Sequence, residues 1–248
     1  MNVTRLLSLP LLFLATSLTA DPLGDVRSAL GRFPAQQAAR ATYELQRSVK
    51  NEGKFGNDAF SGKIAVDLEA SSGGYHIVVG RPLLEQIERE QQARDRNPKL
   101  NTPVASALRE INAVEAADAL DFAPVVLRLL DGAQLVSDAA GTWAGKPARV
   151  LILRAADRID PDDAGKMKVA ENKVTLWLDS DNVPLAVEHM FGARFSFLFL
   201  KGEVKEKKSW HLSRAADRLV RTRFEFTQNS SGMGQKGNEV VVATLRVH

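Results

Sequence analysis

Apolar residues recur along this chain with two different periods, and the switch between them marks out its elements. Ala41, Tyr43 and Leu45 alternate with Thr42, Glu44 and Gln46; Ile64, Val66 and Leu68 alternate with Ala65, Asp67 and Glu69. A period of two predicts strands with one buried face and one wet face. Ser71-Ser72-Gly73-Gly74 then turns the chain into a third strand from Tyr75 to Val79. Ahead of them, Val26, Leu30 and Phe33 stand at helical spacing, which predicts a short amphipathic helix over 25–33 stopped by Pro34.

The middle of the chain changes character. Arg81 to Arg96 reads as a highly charged helix, broken by Asn97-Pro98. Thr102-Pro103 supplies an N-cap and a first-turn proline, after which Val104, Leu108, Ile111 and Val114 form one apolar stripe. Pro124 to Leu130 is almost wholly apolar, which predicts a helix buried against a sheet and ended by Gly132. These helices form a block instead of alternating with strands, so a doubly wound α/β fold is not expected.

From Ala133 onward the pattern is strand and turn. The expected strands are Gln134–Ser137, Arg149–Ala155, Lys173–Asp179, Leu185–Phe191, Arg194–Leu200, Glu203–Leu212, Arg218–Gln228 and Glu239–Val247, separated by short turns as in an antiparallel meander. No linker divides the chain. The fold class expected is α+β, mostly antiparallel β: one β-rich domain over 21–248 with a helical insertion at about 81–131.

Residues 1–20 add a compartment. Arg5 precedes an apolar run from Leu6 to Ala15, and small residues lead to Ala20 before polar Asp21. This layout predicts a cleaved secretory signal, since the run is shorter than the roughly 20 apolar residues that span a bilayer. The chain has no cysteine, which excludes disulfides and a lipid anchored on cysteine. The expected product is periplasmic and not lipidated, with no integral membrane segment after cleavage. With 33 basic against 30 acidic residues and only 6% aromatics, neither the charge nor the stacking of a nucleic-acid binder is present.

Candidate chemistry is sparse. Gly232-Met233-Gly234-Gln235-Lys236-Gly237 matches the G-x-G-x-x-G letters, but a strand follows it where a phosphate-binding helix is required, so it reads as a hairpin loop. Asp160, Asp162, Gly165 and Glu171 fall at calcium-loop positions one, three, six and twelve. Ala164 at position five, Lys166 and Lys168 within the loop, and flanking strands favour an acidic solvated turn instead. Glu188 and His189 are adjacent on a strand, hence on opposite faces, and form no acid–base dyad. His76, His189, His211 and His248 lack ligand spacing. No catalytic motif, metal site or cofactor is expected. The run Lys201 to Lys208 reads as a solvated strand edge.

Two segments carry a resemblance. Trp143-Ala144-Gly145-Lys146-Pro147-Ala148-Arg149-Val150-Leu151 is a Gly-Lys turn entering an alternating strand; Lys173-Val174-Thr175-Leu176-Trp177-Leu178-Asp179 and Pro184-Leu185-Ala186-Val187-Glu188 form a Trp-Leu-Asp…Pro-Leu hairpin. Over about residues 142–188 this resembles the periplasmic lipoprotein carriers and receptors of the Lol type, a superfamily that includes lipoprotein-binding envelope-stress sensors. The resemblance implies a curved open half-barrel with helices packed on its concave face. It also implies a soluble periplasmic carrier or binding protein for an apolar ligand, a lipid or lipoprotein acyl chains. Trp177, Phe195, Phe197 and Phe199 would then line the cavity, although alternation of Phe195, Phe197 and Phe199 with Ser196, Leu198 and Leu200 better fits an ordinary buried strand face. The alternative is an envelope protein–protein interaction or stress-sensing module with no small ligand.

Overall fold

The structure is a computed structural model that describes residues 21–54, 56–157, 167–197 and 200–248. Residues 1–20, read above as a signal, and Asp160, Asp162 and Phe199 lie outside the described residues, as does the side chain of Phe197. Asp21 opens helix α1 (Pro22–Leu30) by accepting from the Gly24 amide at 3.0 Å, with Pro22 in the first turn. The helix thus starts before the expected residue 25 and ends before Phe33.

Three strands follow, β1 (Ala39–Gly53), β2 (Asp58–Ser71) and β3 (Gly74–Val78). The helical block comprises α2 (Arg81–Arg96), α3 (Pro103–Arg109), α4 (Ala113–Leu120) and α5 (Ala123–Leu130). The remainder is a meander: β4 (Gln134–Trp143), β5 (Lys146–Arg154), β6 (Met167–Leu178), β7 (Pro184–Phe197), β8 (Leu200–Ala215), β9 (Arg218–Gly232) and β10 (Gln235–Val247). All ten strands join one open, curved antiparallel sheet in the order β3-β2-β1-β10-β9-β8-β7-β6-β5-β4. The last strand closes against the first, from Ala41 opposite Val247 to Gly53 opposite Gln235. Pairing the two ends of the chain at mid-sheet leaves β3 and β4 as the edges.

The helices cover one face and split its core in two. α1 and α5 set Val26, Leu30, Val126 and Leu130 on Leu151, Leu153, Leu176 and Leu178 of β5 and β6. α3 and α4 set Val104, Ala107, Ala116 and Leu120 on Tyr43, Leu45, Ile64 and Val66 of β1 and β2. Each fully buried aliphatic side chain here contributes about 2 kcal/mol. The close seat of α3 has a specific cause: Gly62 of β2 leaves no Cβ where the Pro103 carbonyl rests, at 2.0 Å from where such an atom would stand.

Four sequence expectations change. The helix read through Val104, Leu108, Ile111 and Val114 is two helices, because the Asn112 side chain accepts from the Val114 and Glu115 amides and starts α4 afresh. Val114 is consequently 66% exposed. Thr102 makes no side-chain cap on α3; Glu90 of α2 reaches across to the Val104 and Ala105 amides at 3.1 and 3.0 Å. The strands expected at 185–191 and 194–200 are one, β7, since Gly192 pairs with both Glu171 and Lys205 and makes no turn. Finally, the Lys201–Lys208 run lies in β8, an interior strand between β7 and β9, and is no sheet edge.

Candidate functional site

Strand parity assigns each candidate to a face. Leu176 and Leu178 point into the core under α5, so Trp177 between them points to the outer face. There it packs on Trp143 at 5.0 Å between ring centres, and Trp143 in turn meets His211 at 5.0 Å. Trp177 therefore does not line a space between sheet and helices, a correction that follows from alternation alone. Glu171 is on β6, 3.8 Å from Lys173 Nζ. Among the described residues no group of three or more His, Cys, Asp or Glu side chains could hold a metal ion.

Phe195 does face the helical side, in line with Trp210 through the β7–β8 register. It lies beyond the helices, 40% exposed, with its ring over Gly202. Moving away from the helices, the concave face loses its large side chains. Gly237 pairs with Ser230, and Gly232 pairs with both Gln235 and Gly202, so the floor is low. Phe195, Met233, Asn51, Asn57 and Asp58 edge this floor with Gln235 and Lys236 beside them, and together they bound an open trough of about 580 Å³. Aromatic Phe195 shields the side-chain-free Gly202 from the ladder side.

A second hollow of about 300 Å³ lies on the same face beside α5. Val125, Leu129, Ala155 and Phe191 make its apolar walls, and His189 and Asn172 its polar end. His189 Nε2 is 2.8 Å from Asn172 Oδ1. Burial, reinforced by the Lys208 ammonium, holds the imidazole below its ordinary pKa, so the ring is neutral at neutral pH. Glu188 points the other way and pairs with Lys207 at 2.7 Å, as adjacency on a strand requires.

Between the two core clusters sits a buried polar cluster that the sequence did not reveal. Arg221 of β9 is 3% exposed and donates to the Tyr43 hydroxyl at 2.8 Å and to the Glu115 carboxylate. The Tyr43 hydroxyl donates to the same carboxylate. Burial pushes the Tyr43 phenol well above its ordinary pKa, which keeps it neutral and a donor. Burial opposes the Arg221 charge, but the Glu115 carboxylate outweighs it and the guanidinium stays protonated. A neighbouring pair extends this strip: Arg47 donates to Glu239 at 2.6 Å and to Ser106 of α3 at 2.5 Å. Burial raises the pKa of Glu110, which stands 3.3 Å from Arg47. These groups tie α3 and α4 to the sheet; each side chain has a partner within the protein, with Arg221 Nε alone of their buried atoms left without one, which is the arrangement of a fastening.

Comparisons with known proteins add little. No protein-family model matches the chain, and no curated protein is similar to it. A crystal structure of a DUF1329 family protein from Desulfovibrio piger is similar at 10% identity over 92% of this chain and 93% of that chain, with a TM-score of 0.28. At that level of superposition the likeness assigns neither a family nor a function to this chain.

Proposed function

We propose that this chain is an exported, periplasmic binding protein that holds an apolar ligand, a lipid or the acyl chains of a lipoprotein, on the concave face of its half-barrel. The observation that carries this reading is the trough beyond the helices, where a Gly/Ser floor edged by Phe195 and Met233 is left uncovered by the helical layer. Its volume of about 580 Å³ lies within the roughly 300–1,000 Å³ of ligand pockets. The separate hollow at Phe191 and Leu129, four residues along β7 from Phe195, adds a second apolar wall on the same face. Among the described residues nothing in either hollow pairs a nucleophile with a base, so the chemistry favoured is binding without turnover.

Mass spectrometry of organic extracts from natively purified protein tests this. Co-purifying lipid is expected, and replacing Gly232 or Ser230 with Leu, which raises the floor, should reduce it. Extracts free of lipid in repeated preparations would sink the reading. A second reading, a protein-binding module, is favoured by edge strand β4, where Leu135 is 40% and Val136 66% exposed. Crosslinking from β4 to another envelope protein, together with a lipid-free extract, would select it.

A further inference from the structure

We propose that the end of the sheet where the trough opens is a docking surface for the anionic headgroup layer of a phospholipid bilayer, an inference that deepens the binding reading above. The register brings the described strand ends of three hairpins together there: β1–β2, β7–β8 and β9–β10. Gly53 lies opposite Gln235, and Gly232 opposite Gly202, so the tips stand side by side.

Their charge is one-sided. Lys50, Lys54, Arg194, Lys201, Lys205 and Lys236, all exposed, face only Glu52, Asp58 and Glu203 among the described residues of these tips. Lys50 pairs with Glu52 at 2.5 Å, Glu203 is shared by Lys205 at 2.7 Å and Arg194 at 3.8 Å, and Asp58 accepts from Asn101 at 2.7 Å, so six cations stand against three carboxylates. By parity most of these cations lie on the outer face, where Lys50, Lys205 and Lys236 border an open cleft of about 580 Å³. The chain carries 33 basic and 30 acidic residues, so an excess at one end is a matter of placement rather than of composition.

Apolar side chains sit beside the cations. Met233 is 56% exposed at the β9–β10 turn, with φ +54°, followed by Gly234 at φ +77°. That turn type favours Asn or Gly at both positions, so a methionine there is not explained by the turn. A thioether held outward beside exposed Phe195 and ringed by lysines matches the layered chemistry of a membrane interface: anionic heads over apolar chains. Docking in this pose places the mouth of the trough against the lipid from which a ligand would pass.

Sedimentation with phosphatidylglycerol-containing vesicles, compared with pure phosphatidylcholine vesicles, tests the proposal on the mature chain. Binding to the anionic vesicles alone, lost at high salt, is expected. Lys201→Ala and Lys236→Ala should each weaken it about fivefold. Met233→Asn, which suits the turn and so preserves the fold, should weaken it as well. No sedimentation, equal binding to both vesicle types, or binding unchanged in the double lysine variant would overturn docking. Lipid extracted from the same preparations is read separately: lipid without sedimentation removes docking alone, and sedimentation without lipid removes the binding reading alone.

Discussion

The Arg221 guanidinium lies over the Phe224 ring, 4.8 Å from its centre, although three residues of regular strand would put the two side chains on opposite faces. A bulge resolves this. His211 pairs with Arg223 and Leu212 with Arg221, so Thr222 is the extra residue, its hydroxyl donating to the His211 carbonyl at 3.2 Å. Both side chains then face the helices, and the arginine reaches Tyr43 and Glu115.

Glu115 is the partner that makes the buried Arg221 tolerable. Glu115→Ala leaves that charge unpaired and should cost about 3 kcal/mol, whereas Tyr43→Phe, which removes one hydrogen bond, should cost about 1 kcal/mol. Urea unfolding measures both. The double variant Glu115→Leu, Arg221→Met should recover most of the loss, since no charge is then left buried.

Glu90 fastens α2, a helix with no buried residue, by capping α3 in place of Thr102. Glu90→Ala should lower stability by about 1 kcal/mol. Amide hydrogen exchange in α2 should accelerate well beyond that in β1, while Thr102→Val should leave exchange in α2 unchanged.

Gly62 has an ordinary strand conformation, so alanine there is opposed only by the Pro103 carbonyl. Gly62→Ala should cost about 1–3 kcal/mol through displacement of α3. Thermal unfolding reads the cost. An unchanged midpoint would show that α3 yields freely.

Acid should weaken the fold through two histidines. Burial, the leading cause in both, depresses the native pKa of His189 and of His211. The unfolded value stays near about 6.5. Between that value and the lower native ones the unfolded chain binds more protons, so stability is full above the window and falls as pH drops through it. Burial raises Glu110 and Asp121, which work the opposite way at lower pH. The urea midpoint should therefore fall between about pH 7.5 and pH 5.5, and His189→Gln should shrink that fall.

Much of this architecture is written locally. Alternation predicts β1, β2 and the later meander; Arg81–Arg96 is a helix from end to end; Asp179 accepts from the Asp181 and Val183 amides to make the hairpin that Pro184 leaves. Alternation also contained the placement of Trp177 on the outer face, since Leu176 and Leu178 cannot share a face with it. The break at Asn112 was written there too, in a capping side chain that the apolar stripe masked.

Period and turn chemistry act over a few residues, so the sequence by itself determined the strands, the hairpins and the faces of each element. Partners that meet across long stretches of chain were decided only by the tertiary structure. Tyr43, Glu115 and Arg221 carry no shared motif and meet because β10 returns to β1 and a bulge turns Arg221 inward. The continuity of β7 through Gly192, the interior place of the Lys201–Lys208 run and the gathering of cations from three hairpins at one end follow from register across the sheet. A local turn fixes register only within its own hairpin, whereas which distant strand becomes the neighbour depends on the assembled sheet.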